Sequence, residues 1–146
     1  MELVIKNKKA SFEYEFIEKF TAGIKLVGSE VKSIRKHKVS ISEAYCYIKG
    51  GEIYIKGMNI SENKESGIHT NHDPVRLRKL LLTKKEILKL DEAIHQKGLT
   101  IVPISVIIND YGLIKIEIAL GRGKKLFDKR EHLKMKDLER ELKIKF

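Results

Sequence analysis

The chain has 146 residues, 42% of them hydrophobic, and thirty Lys and Arg against twenty Asp and Glu give it a net charge of +10. That length holds one domain with a packed core and is short for two, and the hydrophobic fraction excludes a disordered charge tract. The basic excess favours polyanions, either nucleic acid or an anionic membrane surface, through counterion release, and does not choose between them.

A single cysteine, Cys46, leaves no internal disulfide framework and fits a reducing compartment. No stretch offers the roughly 18 uninterrupted apolar residues of a spanning helix; the longest, "LTIVPISVII", is broken by Thr, Pro and Ser. The opening "MELVIKNKKA" lacks an apolar signal core and a small-residue cleavage site. The expectation is a soluble cytoplasmic protein without membrane association.

In chain order, "FEYEFIEKFTAGIKLVG" (12–28) reads as a strand region with an irregularity at Gly23. "SEVKSIRKHK" (29–38) starts a short helix with Ser29 as N-cap and Val31 and Ile34 on one face. In "YCYIKGGEIYIK" (45–56), Gly50-Gly51 forms a two-residue hairpin turn. The turn pairs Lys49 with Glu52, Ile48 with Ile53, Tyr47 with Tyr54 and Cys46 with Ile55. That register sorts Cys46, Ile48, Ile53 and Ile55 onto one face, and the two tyrosines with Lys49 and Glu52 onto the other; a one-residue slip would mix them. "ISENKESGIHTNHDP" (60–74) is a long polar loop. "TKKEILKLDEAIHQKG" (83–98) is a helix capped by Thr83 and stopped near Gly98, with Ile87, Leu90 and Ile94 as its buried stripe. "LTIVPISVII" and "LIKIEIAL" are strands about an "NDYG" turn. In the second, Ile114, Ile116, Ile118 and Leu120 face inward and alternate with Lys115, Glu117 and Ala119. Pro103 points to an edge or a bulge. The pattern predicts a β-rich α+β fold, an OB-type antiparallel β-barrel over residues 1–121 with two or three short helices, closed or partly closed.

Residues 122–146 differ: ten Lys and Arg stand against five Asp and Glu, half of the chain's net charge. Met135, Leu138, Leu142 and Phe146 make a narrow helical stripe, with favourable Glu139–Lys143 and Glu141–Lys145 pairs. A lone helix this short is marginal in water. The expectation is a basic tail, disordered when free and folding against a partner; the alternative is a helix packed back on the barrel.

Candidate chemistry is thin. His69, His72 and Asp73 are too few for a closed zinc site, and "GRGKK" lacks the full phosphate-loop pattern. Cys46 falls on the inward hairpin face and reads as an inert core thiol. No acid/base pair stands out, so no enzyme, cofactor or metal is expected. Two basic clusters carry more. In "NHDPVRLRKLLLTKK" (71–85), Arg76, Arg78, Lys79, Lys84 and Lys85 interleave with apolar residues, some of which anchor the segment while the cations project. In "GRGKKLFDKR" (121–130), Phe127 sits among cations, an arrangement in which a base stacks on the ring while neighbours neutralise phosphates.

The segments "NKKA" (7–10), "AGI" (22–24), "GSEVKSIR" (28–35), "SEAYCYIKGGE" (42–52), "NHDPVRLRKLLL" (71–82), "KGLTIVP" (97–103) and "ALGRGKKLFDKRE" (119–131) occur in an order that resembles the SmpB (small protein B) family, the tmRNA-binding proteins of bacterial ribosome rescue. The resemblance implies an OB-type barrel that binds the transfer-RNA-like domain of tmRNA on its elbow and D-loop side. It also implies delivery of the alanyl-charged RNA, with elongation factor Tu, to stalled 70S ribosomes. There the tail enters the decoding centre and the empty messenger channel as a helix. Carried over, Glu30, Val31 and Lys32 lie near the RNA face, with Arg76, Arg78, Lys79, Leu81 and Lys115 as RNA-binding positions. Lys124 and Lys125 are RNA-binding positions as well and, with Gly123, lead into the tail, where Phe127, Asp128, Lys129, Arg130, Lys134 and Lys136 belong to the decoding-centre element. Phe127 stands where family members usually have His or Tyr, keeping a stack on ribosomal RNA without the polar tip. Thr21 stands where the family often has Glu, and the loop after Ser61 lacks a usual Pro-Tyr.

The leading expectation is therefore a non-enzymatic, monomeric RNA-binding adaptor. The competing ones are a generic OB-type binder of transfer RNA or single strands, and a metal-assisted ribonuclease centred on His69, His72 and Asp73.

Overall fold

A computed structural model describes residues 1–64, 67 and 71–124. Its elements run β1 (Glu2–Lys6), α1 (Lys8–Glu13), β2 (Tyr14–Ile24), α2 (Gly28–Arg35), β3 (Val39–Ser40), β4 (Tyr45–Lys49), β5 (Glu52–Lys56), β6 (Asn59–Ile60), β7 (Arg78–Leu81), α3 (Lys84–Lys97), β8 (Thr100–Ile108) and β9 (Ile114–Gly123). Seven strands form an antiparallel sheet in the order β1-β8-β9-β2-β7-β5-β4, and β3 pairs separately with β6. The edge strands β1 and β4 do not bond each other; β4 approaches β8 instead. The expected barrel is thus a curled antiparallel sheet that hydrogen bonds do not close.

The β4–β5 hairpin has the expected register at every pair, from Tyr45↔Lys56 to Lys49↔Glu52, with both turn glycines at positive φ. Two residues with φ > 0 are what a primed turn requires. Cys46, Ile53 and Ile55 are buried inside, where they meet Ile34, Ile41, Met58, Ile60, Leu80, Leu90, Ile116 and Ile118 in one core. Each large aliphatic side chain buried in this way contributes about 1.5–3 kcal/mol.

The helices follow local chemistry, with two departures. α3 is as expected: the Thr83 hydroxyl accepts from the Glu86 N–H, the Glu86 carboxylate accepts in return from the Thr83 N–H, and Gly98 ends the helix in the left-handed region. α2 starts earlier than expected. Its N-cap is Val27, which offers no side-chain acceptor, and the Glu30 carboxylate accepts from the Val27 N–H. Ser29 lies inside the first turn, and its hydroxyl bonds His72 instead. The unexpected element is α1, whose last two residues, Phe12 and Glu13, fall in what reads as strand. Asn7 explains it: the side-chain oxygen caps the Ala10 N–H, while its Nδ2 donates to the Ile41 and Pro103 carbonyls.

β8 is an interior strand, so of the two roles open to Pro103 it takes the bulge, where the β8–β9 register shifts. Ala119, expected on the open face of β9, is buried. The packing at that end is close: a Cβ on Gly121 would stand 3.0 Å from Val102 Cγ2 and 3.2 Å from Tyr14. Among the described residues no helix is long and apolar enough to cross a membrane.

Burial pushes the Cys46 thiol up to about 12. At pH 8, labelling by a thiol reagent should therefore be at least about a hundredfold slower in the native protein than in urea. Equal rates would place Cys46 outside the core.

Candidate nucleic-acid interface

The segment from Asn71 to Leu82 was expected to anchor by apolar residues while its cations project. β7 inverts part of this. Period-2 alternation sends Arg78 and Leu80 inward and leaves Lys79 and Leu81 outward. Arg78 is fully buried, whereas Val75, Leu77 and Leu81 are exposed.

A guanidinium in the interior requires a counter-charge and acceptors for its fork of donors. Glu30, also fully buried, provides the charge: Oε2 accepts from Arg78 Nε, and Oε1 accepts from Arg76 Nη2 at 2.6 Å. Arg78 Nη1 donates to the Met58 carbonyl at 2.7 Å, and Nη2 to that of Pro74 at 3.1 Å. Burial pushes the Glu30 carboxyl up. Bonds from Arg76, the Val27 N–H and Arg78, with the charge of Arg78, outweigh that effect and hold it below its ordinary value of 4.5. One carboxylate thus joins α2 to β7, and through Arg78 to the β5–β6 connection at Met58 and to the long loop.

Other bonds pin the same loop. His72 is buried; its Nε2 donates to the Ile60 carbonyl and its Nδ1 accepts from the Ser29 hydroxyl, both at 2.8 Å. The Ser33 hydroxyl donates to the Ser61 carbonyl, and the Ile60 N–H to that of Pro74. Both His72 nitrogens are therefore engaged within the protein, and among the described residues no group of three or more metal-ligating side chains occurs. His69 lies outside the described residues.

With the loop held, a groove of about 340 Å³ opens along the outer sheet face between β2, β7, β9 and α2, lined by Gly23, Leu81, Lys115, Val31, Arg35 and Leu113. Register makes it: Gly23 stands opposite Leu81 on one side and Lys115 on the other. A Cβ on Gly23 would lie 3.2 Å from Leu81 Cβ, so this glycine permits the close approach of β7. Arg76, partly exposed, holds the groove end of the loop through Glu30 and the Lys25 carbonyl. Lys25, Lys32 and Arg35 are exposed nearby.

The sequence-derived site residues thus sort by place. Leu81 and Lys115 line the groove, Arg76 bonds the Lys25 carbonyl beside it, and Lys32 is exposed on α2. Lys79 stands on the same outer face, in an ion pair with Glu52 at 3.0 Å. Glu30 and Arg78 have no exposed surface and hold the others in position. Lys124 is at the far end of β9, about 30 Å along the strand from Lys115, with its ammonium 5.7 Å from the centre of the Phe12 ring. Lys125, Phe127, Asp128, Lys129, Arg130, Lys134 and Lys136 lie outside the described residues. Sequence reasoning missed Arg35 and Lys25, and placed His72 in a long polar loop without the burial it has. Gly23, an interruption in a strand pattern, was the available signal for the groove.

The family model described as SmpB protein matches residues 4–146. The chain is 57% identical over 138 residues to the SsrA-binding protein of Cytophaga hutchinsonii, covering 94% of this chain and 90% of that one. It is 52% identical over 141 residues to the SsrA-binding protein of Acholeplasma laidlawii, covering 97% and 93%. A solved structure described as "tmRNA-SmpB: a journey to the center of the bacterial ribosome" is similar at a TM-score of 0.68 and 41% identity, over 84% of this chain and 85% of that one.

Replacing Arg78 by Met leaves Glu30 buried with only its bonds from Arg76 and the Val27 N–H, and should lower stability at neutral pH by about 3–5 kcal/mol. Because the folded Glu30 carboxyl is held below 4.5, its contribution is full above that pH and lost as pH falls through the lower folded value. Urea unfolding of both proteins should show the gap narrowing on acidification; a pH-independent gap would exclude Glu30 as the partner.

Proposed function

We infer the function from a plain premise: the chain belongs to the SmpB family, whose members are SsrA-binding proteins. It is an RNA-binding protein of trans-translation, which binds the transfer-RNA-like domain of tmRNA and acts with it on stalled 70S ribosomes. The observation that carries this reading is the groove, where Gly23, Leu81 and Lys115 of three adjacent strands share one outer face beside the cations of α2.

That arrangement suits structured RNA. A-form helices are recognised by shape and by phosphate and 2′-hydroxyl contacts rather than by base edges in the deep groove. Lys115, Lys32, Arg35 and Arg76 stand around a shallow concavity and meet phosphates; Leu81 and Gly23 shape its floor. Glu30 and Arg78 act as positioning residues, since they reach the RNA only through Arg76 and the loop they hold.

The division of labour follows the charge. Residues 1–121 bind the RNA-like domain, and the basic segment 122–146 engages the decoding centre and messenger channel, becoming helical there and stacking Phe127 on ribosomal RNA. Elongation factor Tu accompanies the charged RNA. The protein works in the cytoplasm, where ribosomes are, and catalyses no step itself: its binding residues offer charge and shape, and His72 is committed to Ser29 and Ile60.

Deleting residues 131–146 should leave affinity for the transfer-RNA-like domain within about twofold while abolishing tagging of stalled polypeptides, and Lys115→Ala should weaken binding and reduce the salt slope by about one counterion. Equal loss of affinity and tagging on deletion would contradict the division. Similar affinity of the intact chain for any RNA of the same length would favour a generic binder.

A further inference from the structure

Tyr45, Tyr47 and Tyr54 stand on the outward face of the β4–β5 hairpin, opposite to Cys46, Ile53 and Ile55. The Tyr47 and Tyr54 ring centres are 5.7 Å apart with planes tilted by 30°, and those of Tyr45 and Tyr47 are 6.3 Å apart at 38°. A cross-strand aromatic pair explains Tyr47 with Tyr54 as hairpin stabilisation. It does not explain Tyr45. That residue faces Lys56 across the hairpin, is 49% exposed, and belongs to the edge strand of the sheet.

Two observations name the occupant. Tyr54 lies opposite Lys79 of β7, and Lys79 shares its face with Leu81, which lines the groove. The tyrosines therefore continue the surface on which the helical RNA is seated. Cations also flank the rings: Lys49 and Lys56 are exposed, and Lys79 is held beside Tyr54 by Glu52. Aromatic faces interleaved with cations take unstacked bases and their phosphates, whereas the bases of a paired helix are already stacked and offer no free face.

We propose that the tyrosine ladder binds unpaired bases of the same RNA whose helical part occupies the groove, with Tyr45 as the outermost stacking ring and Lys56 and Lys79 meeting the phosphates. The proposal rests on the RNA-binding reading above and extends the interface across β7 to the hairpin.

The full chain and its Tyr45→Ala, Tyr45→Phe and Lys115→Ala variants are titrated with the transfer-RNA-like domain of tmRNA and with hexa-adenylate at one salt concentration. Tyr45→Ala should weaken both RNAs about tenfold and Tyr45→Phe neither by more than about twofold, because the ring rather than the hydroxyl stacks. Lys115→Ala should weaken the domain and leave hexa-adenylate unchanged. Tyr45→Ala binding the domain as tightly as the unaltered chain would overturn the proposal. Failure of the unaltered chain to prefer the domain over an ordinary transfer RNA would instead bring down the functional reading, and the Tyr45 comparison on hexa-adenylate would still decide whether the ladder stacks bases.

Discussion

One buried carboxylate organises the groove between α2 and the strands β2, β7 and β9. Glu30 accepts from two arginines and a backbone N–H with no exposed surface of its own. Removing such a set from water is costly, and a buried ion pair is weak evidence of net stability. What it secures is geometry. Glu30 sits on α2, Arg78 on β7 and Arg76 in the loop before it, while Arg78 also holds the Met58 and Pro74 carbonyls. Three segments far apart in sequence thereby have one relative placement. An apolar core would fill the same space without fixing the loop's backbone to the sheet.

The groove follows from that placement. Once β7 lies against β2, Leu81 meets the backbone at Gly23, and Lys115 comes into line on the next strand. Recognition by shape needs such a rigid surface, because phosphate contacts alone give affinity without selectivity. Thr21 has a place here as well. It stands opposite Glu117 on the same face as the groove, so a Glu at this position would set two carboxylates side by side there. Thr leaves a single one.

Much of this was legible in the chain. Gly50-Gly51 between alternating runs admits one hairpin register, and Thr83 with Glu86 and Gly98 brackets one helix, so both are found where local chemistry puts them. The β8–β9 pair followed from alternation about "NDYG". Arg78 was not legible, because alternation says which residues share a face without saying which face is inward, and a basic run normally projects into solvent. The decisive partner, Glu30, lies 48 residues away. α1 was hidden because six residues carry too few turns for a helical period, and its cap, Asn7, is fixed as much by Ile41 and Pro103 as by the helix itself. His72 looked like a loop residue for the same reason: both of its partners are distant in sequence.

The most direct measurement compares the transfer-RNA-like domain with an ordinary transfer RNA, over a range of salt, for the unaltered chain and for Glu30→Gln. Folding of the variant is checked by protection of Cys46. A groove held by Glu30 predicts a preference for the domain that survives rising salt in the unaltered chain and disappears in Glu30→Gln, while both proteins retain the steep salt slope of phosphate contacts. A folded Glu30→Gln protein with the same salt-resistant preference would show that the RNA face does not depend on the buried carboxylate, and would contradict the account.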